Sequence, residues 1–502
     1  MYIGAMARQS PDKPAVIQGD EVISYAELDA RSNQLAQLFQ AWGLRVGDGI
    51  AVLIGNEPRF CEFYWAALRS GLYFTPINTH LAPSEMQYIA DNCDAKVFVT
   101  SNALRDAAKQ FAHQLPKATY RIITDGQLDG FMSYPHVASD MPPTPIADER
   151  EGQVMLYSSG TTGRPKGVRQ ALSGARAGEG MQMLAFYAQL LGILSDDRHL
   201  CVGPLYHIGP IAFSLLCHRL GTTVVLMPRF EAENTLQHIE RYRITSSFMV
   251  PTHFVRLLQL PDDVRRRYDL SSLRVVIHAA APCPLDVKRQ MLEWWGNLIE
   301  LYSGTEGGTT MVRPDEWLKH PGTVGRHVAG GKIWILDEQG NEAPAGQTGL
   351  VYFEATTPFE YFKDAEKTAE TYRGKLFTLG DIGYLDAEGY LYLTDRQSHT
   401  IISGGVNIYP AEVEGALITH PAIADVAVIG IPEADMGEQV KAIVQLRDGF
   451  TASDELRRDI IEFCRAHIAH FKCPRSVDFV AQLPRSPAGK LLKRELKARY
   501  WQ

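Results

Sequence analysis

The apolar positions of the first 150 residues change period several times. Ser24-Tyr25-Ala26-Glu27 has the form of a capping box, in which a serine and the glutamate three residues on satisfy each other's backbone amides. It opens an amphipathic run that ends at Gly43. The run GIAVLIG, Gly49 to Gly55, is apolar throughout, as in a strand covered on both faces. A helical stretch at Phe60 to Leu68, a strand at Tyr73 to Ile77, a helix from Ser84 and a strand at Val97 to Thr100 follow. Strands alternating with helices at this spacing predict a largely parallel, covered sheet. The alternation resumes after Asp148, where VMLY, TTVVLM, SSFMV and LRVVIH read as short strands.

From about Gly331 to Asp395 the period shortens to two, with Gly, Asn and Asp turns between, which predicts a β-rich subdomain. From about Arg396 a separate pattern begins: ADVAVIGIP, VKAIVQL, a helix at about Asp454 to Ile468, the polar loop PRSPAGK and a basic helix LLKRELKARY. The expected fold class is α/β. A large N-terminal domain of αβ layers plus a β-rich subdomain, residues 1–394, precedes a small α+β domain, residues 395–502.

A chain of 502 residues is too long for one core, and 45% hydrophobic with 22% charged residues is ordinary globular composition. A formal charge of −8 argues against a nucleic-acid partner. The basic terminal run, interrupted by Glu495, reads as a solvated helix face. The longest strongly apolar run, Met183 to Leu194, is short of the roughly 20 residues that span a bilayer, so no transmembrane segment is expected. MYIGAMARQSPDKPAVIQGD lacks the apolar stretch of a secretory signal. Cys61, Cys93, Cys201, Cys217, Cys283, Cys464 and Cys473 are odd in number with no CxxC spacing, which suits reduced thiols of a cytoplasmic protein. A homodimer is compatible with all of this.

The densest chemistry is Ser158-Ser159-Gly160-Thr161-Thr162-Gly163-Arg164-Pro165-Lys166-Gly167, directly after VMLY. Glycines let backbone amides close around phosphate oxygens, and hydroxyls and an ammonium add donors. It is not a Walker A loop, because no GxxxxGK[ST] occurs. Glycine with Ser or Thr alone would read as a surface turn. The complete string resembles the phosphate loop of the adenylate-forming superfamily, which comprises acyl-CoA synthetases, peptide-synthetase adenylation domains and firefly-type luciferases. Further motifs follow in that family's order over nearly the whole chain.

The resemblance implies roles residue by residue. Tyr302-Ser303-Gly304-Thr305-Glu306 resembles the YGxTE segment, with Ser303 where glycine is commoner. Tyr302 would lie against adenine, Thr305 would donate to a phosphate oxygen, and Glu306 would offer Mg²⁺ a hard carboxylate. Leu379-Gly380-Asp381 aligns with TGD and makes Asp381 the ribose anchor. Arg396 would approach the nucleotide, and Ser398, within Gln397-Ser398-His399-Thr400, stands at the hinge position about which the small domain would move. His399 has no evident orienting partner in the sequence. Gly404 and Gly405 would border the path of coenzyme A, and Lys490, in Pro484-Arg485-Ser486-Pro487-Ala488-Gly489-Lys490, would be the catalytic lysine.

Pro204-Leu205-Tyr206-His207 resembles the family's aromatic-histidine segment at the acyl pocket. His207 would gate the pocket or neighbour the substrate carboxylate, with a packed core histidine as the alternative reading. His278-Ala279-Ala280-Ala281-Pro282 replaces a GGAP-like segment. His278 and Ala279 would face the acyl pocket together with Phe248 and Gly304, and Ala280 the nucleotide. No aspartate stands in the Pro204 to His207 segment to pair an amino group, which argues against an amino-acid substrate. The branch most resembled is the acyl-CoA synthetases and fatty-acid–CoA ligases. It implies ATP, Mg²⁺ and coenzyme A acting with a hydrophobic carboxylic acid, fatty or steroid-side-chain in type. A carrier-protein thiol as acceptor, a luciferase-like oxygenation, or nucleotide binding without catalysis are the other readings.

Overall fold

A computed structural model describes the whole chain except residues 1, 135, 159–164, 180–181, 329, 356, 404–405, 434–435, 486–490 and 502, with backbone alone at 182–185, 398 and 406–407. Two compact units are present. One comprises residues 1–279, 289–299 and 356–370, the other 280–288, 300–355 and 371–502.

In the first unit a six-stranded parallel sheet runs Met132–Ser133, Tyr120–Ile123, Ala95–Thr100, Gly49–Leu53, Tyr73–Pro76, Gln153–Val154. All five residues of Gly49–Leu53 are buried, as a strand covered on both faces requires. Helix Tyr25–Ala41 opens on the anticipated capping box: Glu27 N donates to Ser24 Oγ at 3.2 Å, and Ser24 N to Glu27 Oε2 at 2.9 Å. Loss of such a cap costs about 1 kcal/mol. Helix Pro58–Arg69 is buried over nearly its whole surface, and its Glu62 is held by Arg31 at 3.0 Å and Arg59 at 2.7 Å. A second sheet sets Val275–His278, Ser246–Met249, Arg198–Cys201, Thr223–Leu226 and Pro14–Gln18 parallel, with Glu21–Ser24 antiparallel at the edge.

VMLY is not one strand. Gln153–Val154 ends the six-stranded sheet, and Leu156–Ser158 pairs antiparallel with Lys166–Gln170 in a separate sheet with Phe359–Tyr361. Met155, 1% exposed, is the joint, and its amide still donates to Phe74 O at 2.9 Å.

In the second unit the β-rich pattern becomes a five-stranded antiparallel sheet of Ile333–Leu336, Gly349–Glu354, Leu376–Leu385, Tyr372–Arg373 and Leu391–Arg396. Strand Leu298–Gly304, which belongs to this unit from Glu300 on, forms a hairpin with Gly307–Val312, and Arg326–His327 pairs with the latter. The tail forms its own sheet from Ile401–Ser403, Val406–Ile408, Ile423–Glu433, Gly437–Leu446 and Ser476–Val480. Helices Pro410–Leu417 and Asp454–His467 cover it around Ile401, Val413, Leu417, Val428 and Ile460. The basic helix is shorter than its sequence suggests, Lys493–Lys497, because Leu491 is drawn into a backbone bridge with Arg485.

The apolar run from Met183 contributes to helix Gln182–Leu191, and no helix among the described residues is long and apolar enough to cross a membrane. All seven cysteines are free thiols, six buried and Cys283 partly exposed.

Candidate nucleotide and acyl site

In the first unit the phosphate-loop string lies in the hairpin between Leu156–Ser158 and Lys166–Gln170. Ser158 and Lys166 face each other in register at its base. Ser159, Gly160, Thr161, Thr162 and Gly163 lie outside the described residues. Lys166 Nζ pairs with Asp364 Oδ2 at 2.9 Å and lies 5.8 Å from the centre of the Tyr361 ring. The Lys166 hydrogen bond is the main cause holding the Asp364 carboxyl below the usual range. Asp364 was not legible as a site residue, since it stands 198 positions from Lys166 and its neighbours carry no motif.

His207 precedes helix Ile208–Leu220, and its Nε2 is buried without a hydrogen-bond partner among the described residues. Burial, helped by the nearby His80, lowers its pKa to about 4, so the ring is neutral near pH 7. Its ring lies 4.7 Å from that of Tyr206, whose hydroxyl is 3.1 Å from His80 Nδ1. Phe248 stacks on Phe213 at 5.0 Å and also rests on the backbone of Gly209, where an added Cβ would stand 2.2 Å from Phe248 Cε1. Only glycine permits that approach. His278 is fully buried, edge-on to Phe254 at 5.2 Å, and Ala279 N donates to Met249 O at 3.4 Å.

In the second unit Asp381 and Arg396 are register partners in adjacent strands. Asp381 is 6% exposed. Its Oδ2 accepts from Tyr302 OH at 2.6 Å and its Oδ1 from Arg396 Nε at 2.9 Å. A carboxylate has about four lone-pair sites, so capacity for two further donors remains, the number a ribose diol supplies. Burial first, and then the Asp381 charge, raises the Tyr302 pKa far above the ordinary phenol value. Gly380, at φ +77°, turns the strand just before Asp381.

Thr305 and Glu306 form the two-residue tip of the hairpin whose ends are the paired Gly304 and Gly307. Gly307 has φ +117°, a backbone shape a side chain would resist. Ser303 Oγ donates across the turn to Gly307 O at 3.2 Å, a brace that a glycine there would lack. Leu379 lies on Gly304: a Cβ at 304 would be 2.5 Å from Leu379 Cδ2 and 2.9 Å from Glu306 Oε2. Ala280 has φ +76°, the left-handed region that disfavours any residue with a Cβ.

No group of three or more His, Cys, Asp or Glu among the described residues could hold a metal ion. The donor set nevertheless fits Mg²⁺, which is commonly held by one or two carboxylates and the substrate phosphates. Glu306, at the tip of the hairpin, is a carboxylate that could serve in that way.

Ser398 lies in the short 3₁₀ turn Gln397–His399. The histidine beside it does have a partner, for His399 Nδ1 is 3.5 Å from Asp395 Oδ1. Asp395 also accepts from Arg396 N at 2.6 Å and from Ala411 N, in the first turn of helix Pro410–Leu417, at 2.8 Å. Burial pushes the Asp395 carboxyl up, but these donors and the Lys493 charge outweigh it and hold the carboxyl below its usual range. Asp395 was missed from sequence, where it reads as the end of LYLTD. Gly404, Gly405 and Lys490 lie outside the described residues.

Residues 4–360 match the AMP-binding enzyme family and residues 412–490 the AMP-binding enzyme C-terminal domain. The chain is 30% identical over 509 residues to the long-chain-fatty-acid–CoA ligase FadD13 of Mycobacterium tuberculosis, covering 99% of this chain and 98% of that protein. It is 33% identical over 527 residues to the 3-[(3aS,4S,7aS)-7a-methyl-1,5-dioxo-octahydro-1H-inden-4-yl]propanoyl:CoA ligase of Rhodococcus jostii, covering 98% and 96%. Among solved structures it resembles ATP-bound MatB from Rhodopseudomonas palustris with a TM-score of 0.85 and 28% identity, covering 100% of this chain and 99% of that one.

Proposed function

The chain belongs to the AMP-binding enzyme family, in its acyl-CoA synthetase branch, and on that premise we propose that its substrate is a hydrophobic carboxylic acid, either fatty or bearing a ring system. It is an AMP-forming acyl-CoA ligase that uses ATP, Mg²⁺ and coenzyme A. Relatives named for a long-chain fatty acid and for a fused-ring propanoate support the hydrophobic class. In this reading the stacked rings of Phe213 and Phe248 belong to the wall of the acyl pocket.

The observation that carries the nucleotide assignment is the Asp381 carboxylate, held by Tyr302 and Arg396 with lone pairs to spare. In this reading Asp381 accepts from the ribose hydroxyls and Tyr302 offers its ring to adenine. Arg396 lends positive charge beside the phosphates. Thr305 and the loop from Ser158 to Lys166 donate to phosphate oxygens. Mg²⁺, when bound at Glu306, offsets charge on the phosphates. The substrate carboxylate oxygen attacks the α-phosphorus, the bond to pyrophosphate breaks, and Lys490 stabilises the charge that builds up. In the second half the coenzyme A thiol gives up its proton and attacks the acyl carbon, and AMP leaves. The 395–502 portion turns about Ser398 between the halves, so that Gly404 and Gly405 take the place of Lys490. Positioning supplies much of the acceleration, and no covalent enzyme intermediate is needed. His207 acts as a neutral neighbour of the acyl group.

The test is ATP- and Mg²⁺-dependent pyrophosphate release over short, medium and long fatty acids, aryl acids and steroid side-chain acids, each with and without coenzyme A. Turnover raised by coenzyme A with one hydrophobic class is the expected result. Adenylation that stalls despite coenzyme A would replace it with a carrier-protein thiol as acceptor. Preference for an amino acid or a short acid would overturn the substrate class.

A further inference from the structure

The loop 202–207, between strand Arg198–Cys201 and helix Ile208–Leu220, carries the rings of Tyr206 and His207 but belongs to no strand ladder. Side chains that follow the six-stranded sheet hold it instead. Asn56, three residues beyond strand Gly49–Leu53, donates from Nδ2 to Gly203 O at 2.8 Å and to Met227 O at 3.1 Å. Its Oδ1 accepts from Leu205 N at 2.8 Å, and its own carbonyl accepts from Gln18 Nε2 at 2.7 Å. Gly203, Met227 and Gln18 stand at the carboxyl ends of Arg198–Cys201, Thr223–Leu226 and Pro14–Gln18, successive neighbours in the second sheet. One residue after the first sheet therefore ties three strands of the second to the start of the loop. The far end of the loop is held from the adjacent strand, Tyr73–Pro76. Beyond that strand Asn78 Oδ1 accepts from His80 N at 2.9 Å, and His80 Nδ1 lies 3.1 Å from the hydroxyl of the buried Tyr206.

A side-chain amide offers two N–H donors and a carbonyl acceptor, and at Asn56 all are engaged. Reversed, its oxygen would face two carbonyls, so the arrangement has one sense. A satisfied polar group between two sheets fixes the backbone it touches, and its loss leaves buried partners unpaired. The backbone fixed here leads directly to His207 and to Gly209, on which the ring of Phe248 rests. Given the reading above, in which His207 and Phe248 border the acyl group, we propose that Asn56 and His80 are positioning residues that set the wall of the acyl pocket and with it the preference among acids. Asn56 acts through Gly203 and Leu205, and His80 through Tyr206.

The test is steady-state pyrophosphate release by the full-length protein with dodecanoate, or with the fastest acid of the panel where dodecanoate is not turned over. His80 is exposed, so His80→Ala leaves the core intact. It is expected to raise KM for the acid about three- to tenfold, the effect of one lost hydrogen bond, with KM for ATP within about twofold. His80→Asn, whose amide can stand where Nδ1 stands, should bring KM for the acid back to within about twofold of wild type. Asn56→Asp keeps the shape and the acceptor but loses both donors, and is expected to raise KM for the acid about tenfold or more. A merely structural role would lower the melting temperature and the active fraction, which scales the rate and leaves KM alone. An unchanged KM for the acid, or KM for acid and ATP rising together, overturns the proposal. The His80 variants decide it even where Asn56→Asp does not fold. His207→Ala, on the loop itself, is measured beside them. If it shifts KM for the acid while the others do not, the positioning role alone falls. If it too leaves that KM unchanged, or no acid is turned over, the acyl-pocket reading falls with it.

Discussion

The hydroxyl of Tyr302 donates to Oδ2 of Asp381 at 2.6 Å, joining residues 79 positions apart. The tyrosine thus orients the carboxylate assigned to the ribose. Tyr302→Phe keeps the ring and removes that donor. One hydrogen bond to a charged group is worth about 1.5–3 kcal/mol, so KM for ATP is expected to rise roughly ten- to hundredfold, with KM for the acid unchanged. Steady-state pyrophosphate release measures both.

Ala280 sits at φ +76°. A Cβ in the left-handed region costs about 1–2 kcal/mol, which glycine does not pay. Ala280→Gly is therefore expected to raise the melting temperature, measured by calorimetry. An unchanged or lowered value would show that the alanine methyl packs well enough to offset the strain.

Lys490→Ala is expected to slow adenylation by about 10²- to 10³-fold, the usual loss on removing a group that stabilises transition-state charge. Conversion of supplied acyl-AMP to the thioester should survive. Equal losses in both halves would contradict a two-conformation cycle for this chain.

Burial holds His199, His207 and His218 neutral, with pKa values near 4, against an ordinary value of 6.5. The unfolded chain therefore takes up these protons first as pH falls. The stability they protect is complete above pH 6.5 and is lost as pH drops toward 4. At His218 a hydrogen bond adds to burial, since Nδ1 accepts from Trp65 Nε1 at 3.2 Å, which a ring protonated there cannot do. The melting temperature should fall between pH 7.5 and pH 5, and His199→Gln should flatten that slope. An identical slope in the variant would exclude His199 as a contributor.

Gly209 carries the ring of Phe248, with 2.2 Å between Cε1 and the place of a Cβ. Gly209→Ala must push the ring aside. The expected outcome is a KM for the acid changed severalfold, with KM for ATP within about twofold. A changed KM for ATP alone would detach Phe248 from the acyl pocket.

Element type was legible where apolar period and burial agree. GIAVLIG becomes a strand buried at every position, and Ser24 to Glu27 caps its helix. Sheet membership was less legible. Four apolar letters at VMLY cannot reveal that Met155 hands the chain from one sheet to another, because period reports only which face is buried. The terminal helix was overread for a similar reason. Helical spacing of Leu491 says nothing of its bridge to Arg485. Motif strings pointed to Tyr302, Thr305, Glu306 and Asp381, since a glycine-bounded turn and a strand carboxylate leave marks in adjacent letters. Asp364 and Asp395 leave none, because their importance lies in partners that only the fold brings near.

Six of the seven thiols are buried and only Cys283 is partly open, with burial pushing its pKa well up. At neutral pH the native chain is therefore nearly silent toward thiol-reactive dyes. One cysteine placed at an exposed site in 395–502 and another on the first unit could be labelled without stripping the natural ones. The distance between the dyes could then be followed through a single catalytic cycle.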